Sequence, residues 1–120
     1  MSRALTVKVT CGLDEPERCN QGFTVAATAA ASGVPVSLWL TGEAAWLAVP
    51  GRAAELELPL ATPLPELLDT VLATGSVTVC GQCAARRSLT EEDLLAGVRV
   101  AGASAFVEQV LADDVRTLVY

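Results

Sequence analysis

The residues best equipped for chemistry lie in Cys80-Gly81-Gln82-Cys83, followed by Arg86-Arg87. A cysteine attacks as its thiolate, and nearby cations or free backbone N–H groups favour that form. Ser76-Val-Thr-Val-Cys80 reads as a strand, with a loop or first helical turn over Gly81 to Arg87. Cys80 would then sit near unpaired N–H groups and the positive end of a helix, with two guanidinium groups a turn later. The plainer reading makes Cys80 a small buried hydrophobe. Cys83 admits three readings: redox partner of Cys80, metal ligand, or incidental small residue. Neither Trp nor Pro flanks the pair in the thioredoxin manner.

Cys11 and Cys19 complete the four cysteines. Cys11 ends a strand-like run, and Cys19 falls in the first turns of the helix after it. With Cys80 and Cys83 they would make a four-thiolate zinc site, although C-x7-C is not a zinc-knuckle spacing. The other reading of Cys11 and Cys19 is core packing.

Composition removes many alternatives. Histidine is absent, which excludes Ser-His-Asp and Cys-His catalysis and any His-bound metal or haem. Eight Lys and Arg against fourteen Asp and Glu give a net charge of −6. That balance is wrong for binding nucleic acid, which needs clustered cations. No G-x-G-x-x-G, P-loop or G-x-S-x-G occurs, so nucleotide binding and serine hydrolysis have no support. Asp14 and Glu17 are read as helix-capping groups, and Trp39 and Trp46 as core or interface residues. The 120 residues are 52% hydrophobic but only 4% aromatic. We therefore expect one domain over 1–120 with a closely packed aliphatic core. No signal peptide is expected from the residues that open the sequence. The longest apolar region, Phe23 to Leu40, is interrupted by Thr24, Thr28, Ser32, Gly33, Pro35 and Ser37, so no membrane span is expected. The expected location is the cytoplasm, where cysteines are reactive or metal-bound more often than paired in disulfides.

The elements that must position these residues alternate. Leu5–Cys11 has apolar and polar residues in turn and reads as a strand. Asp14, Pro16 and Glu17 signal a helix start with a capping box, and the Ala-rich helix runs to Ser32-Gly33. Val34–Leu40 is a second strand, and Glu43–Leu47 a short helix. Arg52–Thr62 reads as a loop with a short extended piece. A helix follows from Pro63 to Thr74, then the strand ending at Cys80. Ser88 to Glu91 fits a second capping box, with a short helix through Leu94-Leu95. Val98–Ala101 is a short strand, Ser104 caps a helix, and Val115–Tyr120 is the last strand. Strands alternating with helices, without hairpin signals, imply a parallel α/β sheet covered on both faces. Ligands of such sheets sit beyond the carboxyl ends of the strands. Cys11 and Cys80 both end strands there.

The order of strand, turn and Ala-rich helix, then Val-Thr-Val-Cys80, small residues, Arg86-Arg87 and a capped short helix, resembles the DsrE/DsrF-like family, which includes the TusD-type sulfur-relay subunits. The resemblance spans essentially the whole chain. It implies a three-layer α/β/α fold around a mainly parallel five-stranded sheet, DsrEFH-like. It also implies assembly into trimers or hexamers. In sulfur-carrying members the cysteine matching Cys80 takes up sulfane sulfur as a persulfide and hands it to a partner. Cys83 stands where carriers usually have a small residue without a thiol, and Cys11 and Cys19 lie outside the carrier signature.

The leading expectation is a sulfur-relay protein that carries sulfur on Cys80 and exchanges it with donor and acceptor proteins, a sulfurtransferase-like carrier without a cofactor. Arg86 and Arg87 would favour the anionic forms, and Cys83 would release sulfur by pairing with Cys80. Two alternatives stand beside it: a zinc-thiolate assembly module using Cys11, Cys19, Cys80 and Cys83, and a Cys80/Cys83 thiol-redox sensor.

Overall fold

Val7, Val9, Leu38, Leu40, Val77 and Val79 alternate with polar or amphipathic residues along their strands, and each of the six is sealed from solvent. In the computed structural model, which describes residues 3–120, these strands are β1 (Ala4–Val9), β2 (Val36–Leu40) and β3 (Ser76–Cys80). β4 (Arg99–Ala101) and β5 (Val115–Val119) complete a five-stranded sheet of order β4-β3-β2-β1-β5. Every pairing is parallel. A parallel neighbour cannot be reached by a tight turn, so each crossover needs a longer connection.

The register puts Val7 beside Leu38 and Leu38 beside Val77, with Val9, Leu40 and Val79 in the next such row. These residues form one aliphatic face. It is covered by α1 (Pro16–Ala31) and α2 (Leu64–Thr74), which supply Phe23, Ala26, Ala27, Leu67, Leu68 and Val71 to the same core. α1 approaches closely because of its small residues: a Cβ on Gly22 would lie 2.6 Å from a Val9 methyl. The opposite face carries Thr6, Lys8, Ser37, Trp39, Ser76 and Thr78. Across it lies α4 (Ala103–Val110), whose Phe106 meets Trp39 edge to face with ring centroids 5.2 Å apart. α3 (Gly81–Arg86) follows β3 at the carboxyl edge. The expected three-layer α/β/α fold with five parallel strands is the one observed.

Several local expectations are corrected. α1 has Pro16 in its first turn as anticipated, but its N-cap is Glu15 and no side chain caps it. Asp14 instead accepts the Gly12 N–H at 2.8 Å, closing the turn before the helix. The capping box near residue 90 exists, but Thr90 and Asp93 form it, not Ser88 and Glu91. It opens only a 3₁₀ turn, Glu91–Asp93. α4 begins earlier than expected, with Gly102 as its N-cap, so Ser104 lies inside it. The segment after β2 is a 3₁₀ helix, Gly42–Ala48. Within Arg52–Thr62 the regular element is the 3₁₀ turn Ala53–Glu55, and none of the segment joins the sheet.

Gly75 links α2 to the strand that carries Cys80. A Cβ there would stand 2.4 Å from the Val36 carbonyl oxygen and 3.1 Å from that of Val71. Both are backbone atoms and cannot swing aside. Gly75→Ala should therefore lower stability by about 1–3 kcal/mol, the usual cost of forcing atoms into a packed interior. Urea denaturation would show this as a lower midpoint at unchanged slope. A midpoint equal to wild type would show that β2 and β3 separate freely at this point.

Candidate functional site: a thiol pair beside a lysine-lined cavity

Cys80 is the last residue of β3 and the N-cap of α3. It is partly exposed, whereas Cys83, one helical turn on, is buried. The N–H groups of Gln82 and Cys83 and the Cys83 thiol all act on the Cys80 sulfur. None of these contacts has the geometry of a full side-chain cap; the attraction is between thiolate charge and oriented dipoles. Cys83 is itself held by the Gly42 N–H, which donates to its sulfur at 3.2 Å.

The site includes a residue that the sequence reading passed over. Lys8 lies on the same face of the sheet as Cys80 and lowers its pKa. The two line a cavity of about 60 Å³ with Trp39, Thr41, Ala103 and Phe106. A water-sized group needs only about 10–15 Å³ by this measure, so there is room beside the thiol for an additional atom or two. The ammonium stands 5.0 Å from the centre of the Phe106 ring, a cation–π distance. The signal for Lys8 was present in the strand: it is the one charged residue in Leu5–Cys11, and its neighbours Val7 and Val9 point the other way. Trp39, expected in the core or an interface, and Phe106 of α4 wall this cavity.

Electrostatics separates Cys80 from Cys11 and Cys19. Burial by itself pushes Cys80 up. The Cys83 N–H, the Cys83 thiol, the Gln82 N–H and Lys8 together outweigh it, leaving Cys80 below the ordinary thiol value of 9.0. Cys11 is raised, first by burial and then by the Asp14 carboxylate. Cys19 is pushed up to about 12, mainly by burial and then by its neighbours Cys11 and Asp14. Cys11 and Cys19 thus belong to the core.

Arg86 and Arg87 do not line the cavity. Arg86 is exposed in the last turn of α3. Arg87 donates to the Cys83 carbonyl at 3.0 Å and pairs with Glu43 at 3.7 Å. It braces α3 against the segment that begins at Gly42 and supplies no charge to the Cys80 sulfur. The helix turns both side chains away from the strand end, so the expected guanidinium pair is replaced by one ammonium from β1.

The four-thiolate zinc arrangement is likewise not formed. Among the described residues, no three His, Cys, Asp or Glu side chains converge as a metal site. Cys11 follows β1 and Cys80 ends β3, and β2 lies between these strands. Two strand spacings amount to about 10 Å, whereas zinc holds each sulfur at about 2.3 Å.

These contacts define a reactivity order. Iodoacetamide should alkylate Cys80 first, and Cys19 should resist until the chain unfolds. In Lys8→Met the pH midpoint of Cys80 alkylation should move upward, because the neutral side chain no longer favours the thiolate. Arg86→Ala should leave that midpoint in place. Mass-mapped alkylation across a pH series reads all three. An unmoved midpoint in Lys8→Met would remove Lys8 from the site.

Among the described residues, no helix is long and apolar enough to cross a membrane. None of the curated proteins matches this chain in sequence. Among solved structures, the YchN protein of E. coli superposes with a TM-score of 0.80 at 17% identity, covering 100% of both chains. MTH1491 of Methanobacterium thermoautotrophicum, a protein of unknown function, superposes at 0.71 and 10% identity, again over 100% of both. At such identities the likeness is one of fold. The sequence model of the DsrE/DsrF-like family matches residues 4–118, nearly the entire chain, and the protein belongs to that family.

Proposed function

We propose that this protein carries sulfane sulfur as a persulfide on Cys80 and passes it to the thiol of a partner. The observation that carries this reading is the cavity beside Cys80: small, walled by aromatic rings, and lined by one ammonium group. Membership of a family generally tied to sulfur relay points the same way. In the loading step the Cys80 thiolate attacks the outer sulfur of a donor persulfide. A new sulfur–sulfur bond forms on Cys80, and the donor leaves as its thiolate. In the unloading step an acceptor thiolate attacks the outer sulfur, and Cys80 departs as a thiolate. Sulfur, charge and electrons balance in both steps without an oxidant, a metal or a histidine base. Lys8 stabilises the anion at each stage, and the aromatic walls limit the access of water.

The donor and acceptor are other proteins, and the exchange takes place in the cytoplasm. The chain itself assembles as a homotrimer or homohexamer. Val107 on α4, Leu111 at the C-cap of that helix and Val119 on the outer strand β5 are 50%, 77% and 62% exposed, an apolar surface suited to burial between subunits. Light scattering at micromolar concentration should give a multiple of the chain mass, and a monomer would contradict the assembly.

Incubation with glutathione persulfide should add one sulfur atom to the chain at Cys80, removable by dithiothreitol. Cys80→Ser should abolish this gain, as read by intact mass and peptide mapping. If the variant still acquires reducible sulfur, Cys80 is not the carrier.

A further inference from the structure

Cys83 and the cavity are separate neighbours of the Cys80 sulfur. Lys8, Trp39, Thr41, Ala103 and Phe106 line the cavity with Cys80, and Cys83 is not among its walls. Cys83 lies instead on the α3 side, buried, with its thiol against Cys80. The Gly42 N–H fixes its sulfur from behind at 3.2 Å. Arg87 reinforces that placement through the Cys83 carbonyl and Glu43. Cys80 therefore has beside it both a second thiol and a space large enough for one more sulfur.

Resting on the persulfide reading, we propose that Cys83 is a resolving thiol that reduces the sulfur carried on Cys80 to sulfide whenever no acceptor removes it. The cavity gives the outer sulfur of the persulfide room beside Lys8. The inner sulfur faces Cys83. Displacement at a sulfur–sulfur bond requires nucleophile, central atom and leaving atom in rough alignment, so the step requires Cys83, the Cys80 sulfur and the cavity to stand in that order. Cys83 attacks the inner sulfur, a Cys80–Cys83 bond forms, and the bond to the outer sulfur breaks. The departing sulfur leaves as hydrosulfide next to the Lys8 ammonium and takes up the proton lost by Cys83. The balance is Cys80–S–SH plus Cys83–SH giving the Cys80–Cys83 disulfide plus H2S. The sulfane sulfur is reduced, and the two cysteine sulfurs are oxidised. A dithiol reductant then restores both thiols by ordinary exchange, becoming a disulfide itself. An acceptor attacks the outer sulfur and Cys83 the inner one, so the same persulfide has two exits with different products.

The test begins with full-length protein loaded with glutathione persulfide and freed of the reagent by gel filtration. Intact mass must first show the gain of a single sulfur atom and no glutathione adduct. On standing without acceptor, the wild-type protein should release about one sulfide per chain and end with a disulfide that maps to Cys80 and Cys83. Cys83→Ser keeps an acceptor for the Gly42 N–H, and Cys83→Ala removes it. In both, sulfide release should slow by more than about tenfold, because an intramolecular thiol enjoys a high effective molarity. Lys8→Met should slow release while leaving the product disulfide the same. If the Cys83 variants lose sulfur at the wild-type rate, or if wild-type protein holds its persulfide as long as they do, the inference fails and the carrier reading stands. If Cys80 takes up no sulfur even in Cys83→Ser, the carrier reading fails and this inference falls with it.

Discussion

Lys8 and Cys80 lie on strands that do not touch. β2 runs between them, and they share a cavity only because the parallel register places Lys8 beside Trp39 and Trp39 beside Thr78. Cys80, two residues beyond Thr78, falls on the same face, since side chains repeat every second residue along a strand. A slip of one residue in β1 would turn Lys8 into the aliphatic layer and Val7 or Val9 toward the thiol. Burying an unpaired ammonium there would cost several kcal/mol. The core that fixes the register also fixes the site, and the thiol inherits its cation from packing on the far side of the sheet.

The two faces are built differently, and the difference leaves a space at the thiol. α1 and α2 seal one face with interlocking aliphatic side chains. The other face carries hydroxyl and amide groups under the short helix α4, none of whose residues is fully buried. That helix is tied down by polar contacts: the Trp39 indole donates to Gln109 at 2.6 Å, and Gln109 donates to Ser37 at 2.7 Å. Ser76 continues the chain by donating to Ser37 at 3.2 Å. Such a network holds α4 at a set height without filling the volume beneath its first turn. Phe106 and Ala103 roof the cavity, and the thiol keeps partial access to solvent.

Much of this was legible in the sequence. Period-two alternation marked Leu5 to Cys11, and the helical spacing of Leu64, Leu67, Leu68, Val71 and Leu72 marked α2. Ser76–Cys80 emerged with its observed bounds, because a β-branched run between Gly75 and Gly81 has few alternatives. Cys80 stood out for the same reason. Lys8 did not, because its partnership with Cys80 depends on contact across two strands, 72 positions apart in the chain, and no local spacing records it. Arg86-Arg87 misled in the opposite direction: charges close to a cysteine in sequence can point elsewhere once a helix turns them. The caps failed at the level of individual atoms. Asp14 had a nearer donor in Gly12, and Thr90 with Asp93 made the reciprocal pair that Ser88 and Glu91 had resembled.

One residue type thus supplies two kinds of group here, and environment alone separates them. Cys19 is sealed among aliphatic side chains, where a charge would lose its hydration without gaining a partner, so it stays a neutral packing residue. Cys80 is also partly desolvated, but N–H groups, a thiol and an ammonium face it. In a site shielded from bulk water those dipoles and charges act at lower dielectric and count for more than they would in solution. The same burial that silences Cys19 therefore strengthens the forces that ionise Cys80. A chain with no histidine can thus lower the pKa of a thiol without a base: its place is taken by a fixed arrangement of donors, set in place when the sheet forms.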